Sequence, residues 1–140
     1  KVISIWVIMD MTSRTMVLPG KSGVDVAGST TGTELKAPGG LAAMEGKHSA
    51  NRTVCFSDLD VNGHMNNTRY IDWLCDLLPS KFHEEYPMKA VTICYMSEAL
   101  EGQQLQLSWN EGAVFRLDGS VSETDVGAGH TRIFSAEAQF

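Results

Sequence analysis

Apolar and polar positions fall along this chain in patterns that mark out its elements. Residues 2–9 (VISIWVIM) are almost continuously apolar and β-branched, which predicts a strand. Residues 10–14 turn, and residues 15–18 continue as a hairpin partner that Pro19 and Gly20 end. Residues 50–56 (ANRTVCF) predict a second strand, which runs into a polar loop. Tyr70, Trp73, Leu74, Leu77 and Leu78 then recur at helical spacing, and Ile71 and Cys75 widen the stripe. The predicted helix covers residues 66–78, capped by Asn66 or Asn67 and stopped by Pro79, and should be the most buried element. After a polar connection over 80–87, residues 88–97 predict a strand, with Ala90, Thr92, Cys94 and Met96 on one face and Val91, Ile93 and Tyr95 on the other. Residues 104–109 (QLQLSW) alternate, Asn110, Glu111 and Gly112 turn, and strands follow over 113–121 and 131–140, with a polar turn over 122–129. One helix against a run of antiparallel strands predicts an α+β layer pair.

Residues 20–49 depart from this. Seven of the thirteen glycines lie here, beside Ser, Thr and Pro38, so the stretch predicts an interdomain linker. Leu35 and residues 41–44 (LAAM) offer it a docking turn. With 140 residues, 43% of them hydrophobic, the chain can bury a real core. No apolar run is long enough to span a bilayer. A net charge of −6 argues against a nucleic-acid binder. Cys55, Cys75 and Cys94 form no Cys-x-x-Cys pair and sit in apolar patterns, so they read as buried free thiols. The four histidines are dispersed without ligand spacing to a cysteine, so neither a metal nor a cofactor is expected.

The candidate chemistry gathers in the loop before the helix, which holds Asp58, Asp60, Asn62, His64, Asn66 and Asn67 with Gly63 among them. By residue type alone these are turn formers and helix caps. The same position also delivers a histidine and carboxamides to a helix N-terminus, where free N–H groups suit a developing oxyanion. The order of the residues adds to this. Asp60-x-Asn62-x-His64, then Asn66-Asn67, then Tyr70-Ile71-x-Trp73 resembles the acyl-[acyl carrier protein] thioesterases, which carry two hotdog domains in tandem.

The resemblance implies a hotdog fold, a sheet wrapped around helix 66–78, and hydrolysis of a fatty acyl thioester presented by acyl carrier protein. It implies a catalytic set of Asp60, Asn62, His64 and Glu98, the last from the family's Tyr-x-x-Glu placed on Tyr95-Met96-Ser97-Glu98. His64 has the pKa range of a general base near neutral pH, Glu98 would share or orient the water, Asn62 would orient substrate or His64, and Asp60 would hold the loop and the His64 tautomer. Asn66 and Asn67 would furnish the oxyanion end. Ala99 stands where a Cys-His-Asn scheme would put its nucleophile, which favours attack by water. Residues 1–19 then resemble the closing strand and hairpin of a preceding hotdog, 20–49 the linker, and 50–140 the C-terminal hotdog. The partners implied are acyl carrier protein and a second hotdog, either a preceding half or another copy, with no nucleic acid and no membrane span. An acidic carrier would need a basic patch that is local on this acidic chain or lies outside it. The location implied is bacterial cytoplasm, or the plastid in a plant. Two other readings remain: a single-hotdog acyl-CoA thioesterase acting as a homodimer, and a non-catalytic acyl-binding hotdog module.

Overall fold

The structure is a computed structural model that describes residues 2–10, 12, 13, 15–24, 39–122 and 130–140. It divides into two compact units, Lys1–Gly39 and Gly40–Phe140.

In the first unit, β1 (Ile8–Met9) pairs antiparallel with β2 (Met16–Val17). The turn between them is built on Asp10, whose Oδ1 accepts the N–H groups of Thr12 at 3.0 Å and Ser13 at 2.7 Å. The strand is much shorter than the apolar run predicts: residues 2–7 carry no ladder, and Val2 and Trp6 are exposed. A single turn, α1 (Pro19–Ser22), follows and ends at Gly23, which takes a positive φ of 69°. Residues 25–38 of the expected linker lie outside the described residues.

The second unit holds β3 (His48–Thr53), α2 (Arg69–Asp76), α3 (Ser80–Glu85), β4 (Ala90–Tyr95), β5 (Gln104–Asn110), β6 (Phe115–Ser122) and β7 (His130–Gln139). The five strands form one antiparallel sheet in the order β3-β5-β6-β7-β4. Alternation decides its faces. Leu105, Leu107, Phe115, Leu117, Phe134, Ala136 and Ala138 join Tyr70, Trp73 and Leu74 of α2 in one buried core. Each such large side chain, removed from water, stabilises the fold by roughly 1.5–3 kcal/mol. The Tyr70 ring meets Phe134 edge-on at 4.7 Å. Gly119 gives that ring its room, since a Cβ there would stand 2.2 Å from Phe134 Cε1.

The helix is shorter than its apolar stripe predicts. Asn66 Oδ1 accepts the Thr68 N–H at 3.0 Å and the Thr68 hydroxyl at 2.9 Å, so Asn66 shapes a turn and the helix begins one turn later. Leu77 closes it before Pro79. Nor is the helix the most continuously buried element. That is β7, where Ile133, Phe134, Ser135, Ala136 and Ala138 are all buried, because its second face is covered too.

That second face is polar, and residues 41–47 run over it. Arg132 donates to Leu41 O at 3.1 Å, Arg116 to Ala42 O at 3.0 Å, and Met44 N to Asp118 Oδ2 at 3.2 Å. Gly46 N donates to Ser108 Oγ at 3.1 Å and Lys47 N to Asn110 Oδ1 at 2.8 Å. A Cβ on Gly46 would stand 2.5 Å from Trp109 N, so only glycine lets the backbones approach this closely. Beneath, Ser135 Oγ donates to Asp118 Oδ1 at 2.5 Å and takes a bond from Arg132. The strand expected from Ala50 accordingly starts at His48 and stops at Thr53, before a 3-10 turn over Phe56–Asp58 that leaves Phe56 exposed. Cys55 is exposed as well, against the reading of three buried thiols, because that turn carries it off the strand; Cys75 and Cys94 are half-buried. At the other edge, α3 supplies the helical turn in the connection to β4.

Candidate active site

The loop between the 3-10 turn and α2 is a tight hairpin built on Asp60. Its N–H donates to His64 O at 2.8 Å, and its C=O takes the Gly63 N–H at 3.1 Å. Its Oδ1 accepts the Asn62 N–H at 2.8 Å and the His64 N–H at 3.3 Å. The Asn62 N–H holds the Asp60 carboxyl below the ordinary carboxylate range, and the His64 N–H adds to this. Gly63 turns the chain with φ 78°, a region that residues with a Cβ avoid. Asp58 anchors the base of the loop: its Oδ2 accepts the Cys55 N–H at 2.9 Å, and its C=O accepts the Asn66 N–H at 2.8 Å.

This hairpin is fastened to the segment beyond β4. Met65 N donates to Ala99 O at 2.8 Å, and His64 and Leu100 form an antiparallel bridge. The result brings His64 Nε2 to 3.3 Å from Glu98 Oε2, with the two side chains 28% and 50% exposed. Both face a cavity of about 280 Å³ that Asp60, Met65, Asn67, Tyr70 and Tyr95 also line. A water touching both His64 and Glu98 there would be in reach of a general base and a carboxylate at once.

The other sequence candidates separate. Asn62 is exposed at the hairpin tip and outside the cavity lining. Asn66 also stands outside the lining; its N–H goes to Asp58 and its side-chain oxygen to Thr68, which makes it a turn former. Asn67 lines the cavity, and its C=O accepts the Tyr95 hydroxyl at 2.9 Å. Asp60 bonds to the main-chain N–H of His64, so what it holds is the loop.

Two tyrosines that the sequence places in the helix stripe, the strand and the resembling motifs, without a role at the site, line the cavity. Tyr70 and Tyr95 meet edge-on at 5.3 Å. Burial pushes the Tyr70 hydroxyl up to about 12, with Tyr95 and Glu98 raising it further and the Ala99 N–H drawing it back. It stays a neutral phenol through the physiological range. Burial raises Tyr95 as well. The signal was their spacing, one on the first turn of the helix and one three residues before Glu98. Among the described residues no cluster of His, Cys, Asp and Glu is arranged to hold a metal ion.

Residues 41–136, more than half of the chain, match the family described as the acyl-ACP thioesterase C-terminal domain. The chain is 35% identical over 54 residues to a chloroplastic dodecanoyl-[acyl-carrier-protein] hydrolase of Cinnamomum camphora, a match covering 39% of this chain and 14% of that one. It is 39% identical over 54 residues to a chloroplastic palmitoyl-acyl carrier protein thioesterase of Gossypium hirsutum, covering 39% of this chain and 13% of that one. The matches thus span a small part of these curated relatives' length. Among solved structures, an acyl-ACP thioesterase from Bacteroides thetaiotaomicron superposes with a TM-score of 0.66 at 21% identity, over 94% of this chain and 52% of that one. That likeness shows the fold, a hotdog.

Proposed function

The chain belongs to the acyl-ACP thioesterase family, and from that premise we propose that it hydrolyses a fatty acyl thioester carried on acyl carrier protein, releasing the free fatty acid. The observation that carries this reading is the 3.3 Å approach of His64 Nε2 to Glu98 Oε2 at the cavity. His64 takes a proton from a water that touches both groups, and the water oxygen attacks the thioester carbonyl carbon. Glu98 aligns the water and stabilises the imidazolium that forms. The carbonyl oxygen becomes an oxyanion in front of Asn67, the C–S bond breaks, and the leaving thiolate takes the proton back from His64. Asp60 sets the hairpin on which His64 stands, and Asn62 acts on the outer side of that hairpin, where it can meet an incoming carrier.

β3 is an edge strand with most of its residues exposed, and an open edge invites pairing. We take its partner to be a second hotdog, in a longer chain or in another copy. The enzyme would then work where acyl carrier protein is found, in bacterial cytoplasm or a plant plastid. Among the described residues no helix is long and apolar enough to cross a membrane.

The test compares turnover of one acyl chain as its carrier-protein thioester and as its CoA thioester by the intact protein. Faster hydrolysis of the carrier thioester is expected, with loss of that activity in His64→Ala. Equal or faster turnover of the CoA thioester would make it an acyl-CoA thioesterase, and no turnover of either would leave an acyl-binding module.

A further inference from the structure

Three ties join the loop that carries His64 to the segment that carries Glu98. Two lie on the far side of the pair along the chain: Met65 N to Ala99 O at 2.8 Å, and the bridge between His64 and Leu100. The third lies on the near side, where the Tyr95 hydroxyl donates to Asn67 O at 2.9 Å. Along the Glu98 segment the contact is therefore bracketed, with Ala99 and Leu100 tied to Met65 and His64 after it and Tyr95 tied to Asn67 before it.

Met96 N and Ser97 N both donate back to Ile133 O, at 2.8 Å and 3.2 Å, so the sheet sets the place from which Glu98 projects. The place of His64 is set by its hairpin. Tyr95 connects the two. It is the last residue of β4, in register with Phe134, and its ring stands edge-on to Tyr70, which in turn stands edge-on to Phe134. The ring is thus footed on the core. It is 46% exposed, so water could satisfy its hydroxyl, yet the hydroxyl goes to a main-chain oxygen of the loop.

We infer that Tyr95 is a positioning residue: its hydroxyl, given to Asn67, holds the His64 loop in register with the strand end that presents Glu98. The inference rests on reading His64 and Glu98 as the reacting pair, and its test keeps the two apart.

Tyr95→Phe keeps the ring against Tyr70 and removes only the hydroxyl. In the intact protein kcat for acyl thioester hydrolysis should fall about tenfold while KM stays within about twofold, because reacting groups are displaced and no substrate contact is lost. In a Glu98→Gln background the same change should cost little more, since the tie acts through the pair it aligns; a merely structural role would lower activity by the same factor in both backgrounds. A crystal structure of Tyr95→Phe should show His64 Nε2 and Glu98 Oε2 farther apart than 3.3 Å. Unchanged kcat with an unchanged separation overturns the inference, and an inactive His64→Ala then leaves the catalytic reading standing. If neither His64→Ala nor Glu98→Gln alters turnover, the catalytic reading falls, and the separation measured in Tyr95→Phe decides the tie alone.

Discussion

His64 Nε2 and Glu98 Oε2 stand 3.3 Å apart although one belongs to a hairpin before a helix and the other to the stretch after a strand. Both side chains are partly exposed, so neither is needed to fill the core. His64→Ala and Glu98→Gln should therefore each lower kcat by about 10²–10⁴-fold, the usual contribution of a positioned acid or base. Melting curves of both variants should overlay the parent protein. An active, folded His64→Ala would remove the histidine from the mechanism.

Asp60 predicts how the loop responds to acid. Its folded pKa lies below the ordinary 3.8, so its carboxylate stabilises the folded loop fully above that value. As pH falls below 3.8 and through the folded value, the contribution is lost. The amide resonances of Asn62 and His64, whose N–H groups it accepts, should move together in that window. They should not do so in Asp60→Asn. Amides that titrate independently would break the link to Asp60.

Tyr70 predicts the opposite limb. Its folded pKa of about 12 exceeds the ordinary 10.0, so the neutral hydroxyl's contribution is complete below pH 10.0 and is lost as pH rises toward about 12. Denaturant midpoints measured across that range should fall less steeply in Tyr70→Phe than in the parent. Equal slopes would mean that the hydroxyl is not the group responsible.

The core makes two predictions of different origin. Trp73 is 0% exposed, and Trp73→Ala should destabilise by about 3–5 kcal/mol through the cavity it leaves. Gly119→Ala adds only a methyl group, yet that carbon would meet the Phe134 ring at 2.2 Å, and about 1–3 kcal/mol of overpacking strain is expected. Pairing Gly119→Ala with Phe134→Leu should recover part of the loss. Urea titration checks each variant.

The alternation in residues 104–109 and the Tyr70, Trp73 and Leu74 stripe were legible because burial on one face writes its period into the chain. The candidate site was legible through order rather than type: Asp60, Asn62 and His64 at alternate positions, and a Tyr-x-x-Glu ending at Glu98. What stayed hidden has a common cause. The true helix start depends on Asn66 bonding to Thr68 instead of capping the helix itself, and both choices suit an Asn equally. The burial of β7 on both faces depends on a Gly-containing stretch that carries no period of its own. The separation of Asn62 and Asn66 from the cavity depends on which way a hairpin turns, and composition does not encode that.

The hold of the sheet on residues 41–47 has an evolutionary consequence. Arg132, Arg116, Asp118, Ser108 and Asn110 grip that stretch chiefly by its peptide groups, and Asn110 Nδ2 also reaches Met44 Sδ at 3.5 Å. A segment recognised in this way is free to drift in sequence: Ala42, Ala43 or Glu45 can be exchanged without loosening it. Met44 and Gly46 are the exceptions, since Asn110 holds the Met44 sulfur and a Cβ on Gly46 meets Ser108 and Trp109. The constraint falls on the gripping residues of the strands, so mutational tolerance should be high along the segment and low in the β5–β7 positions beneath it.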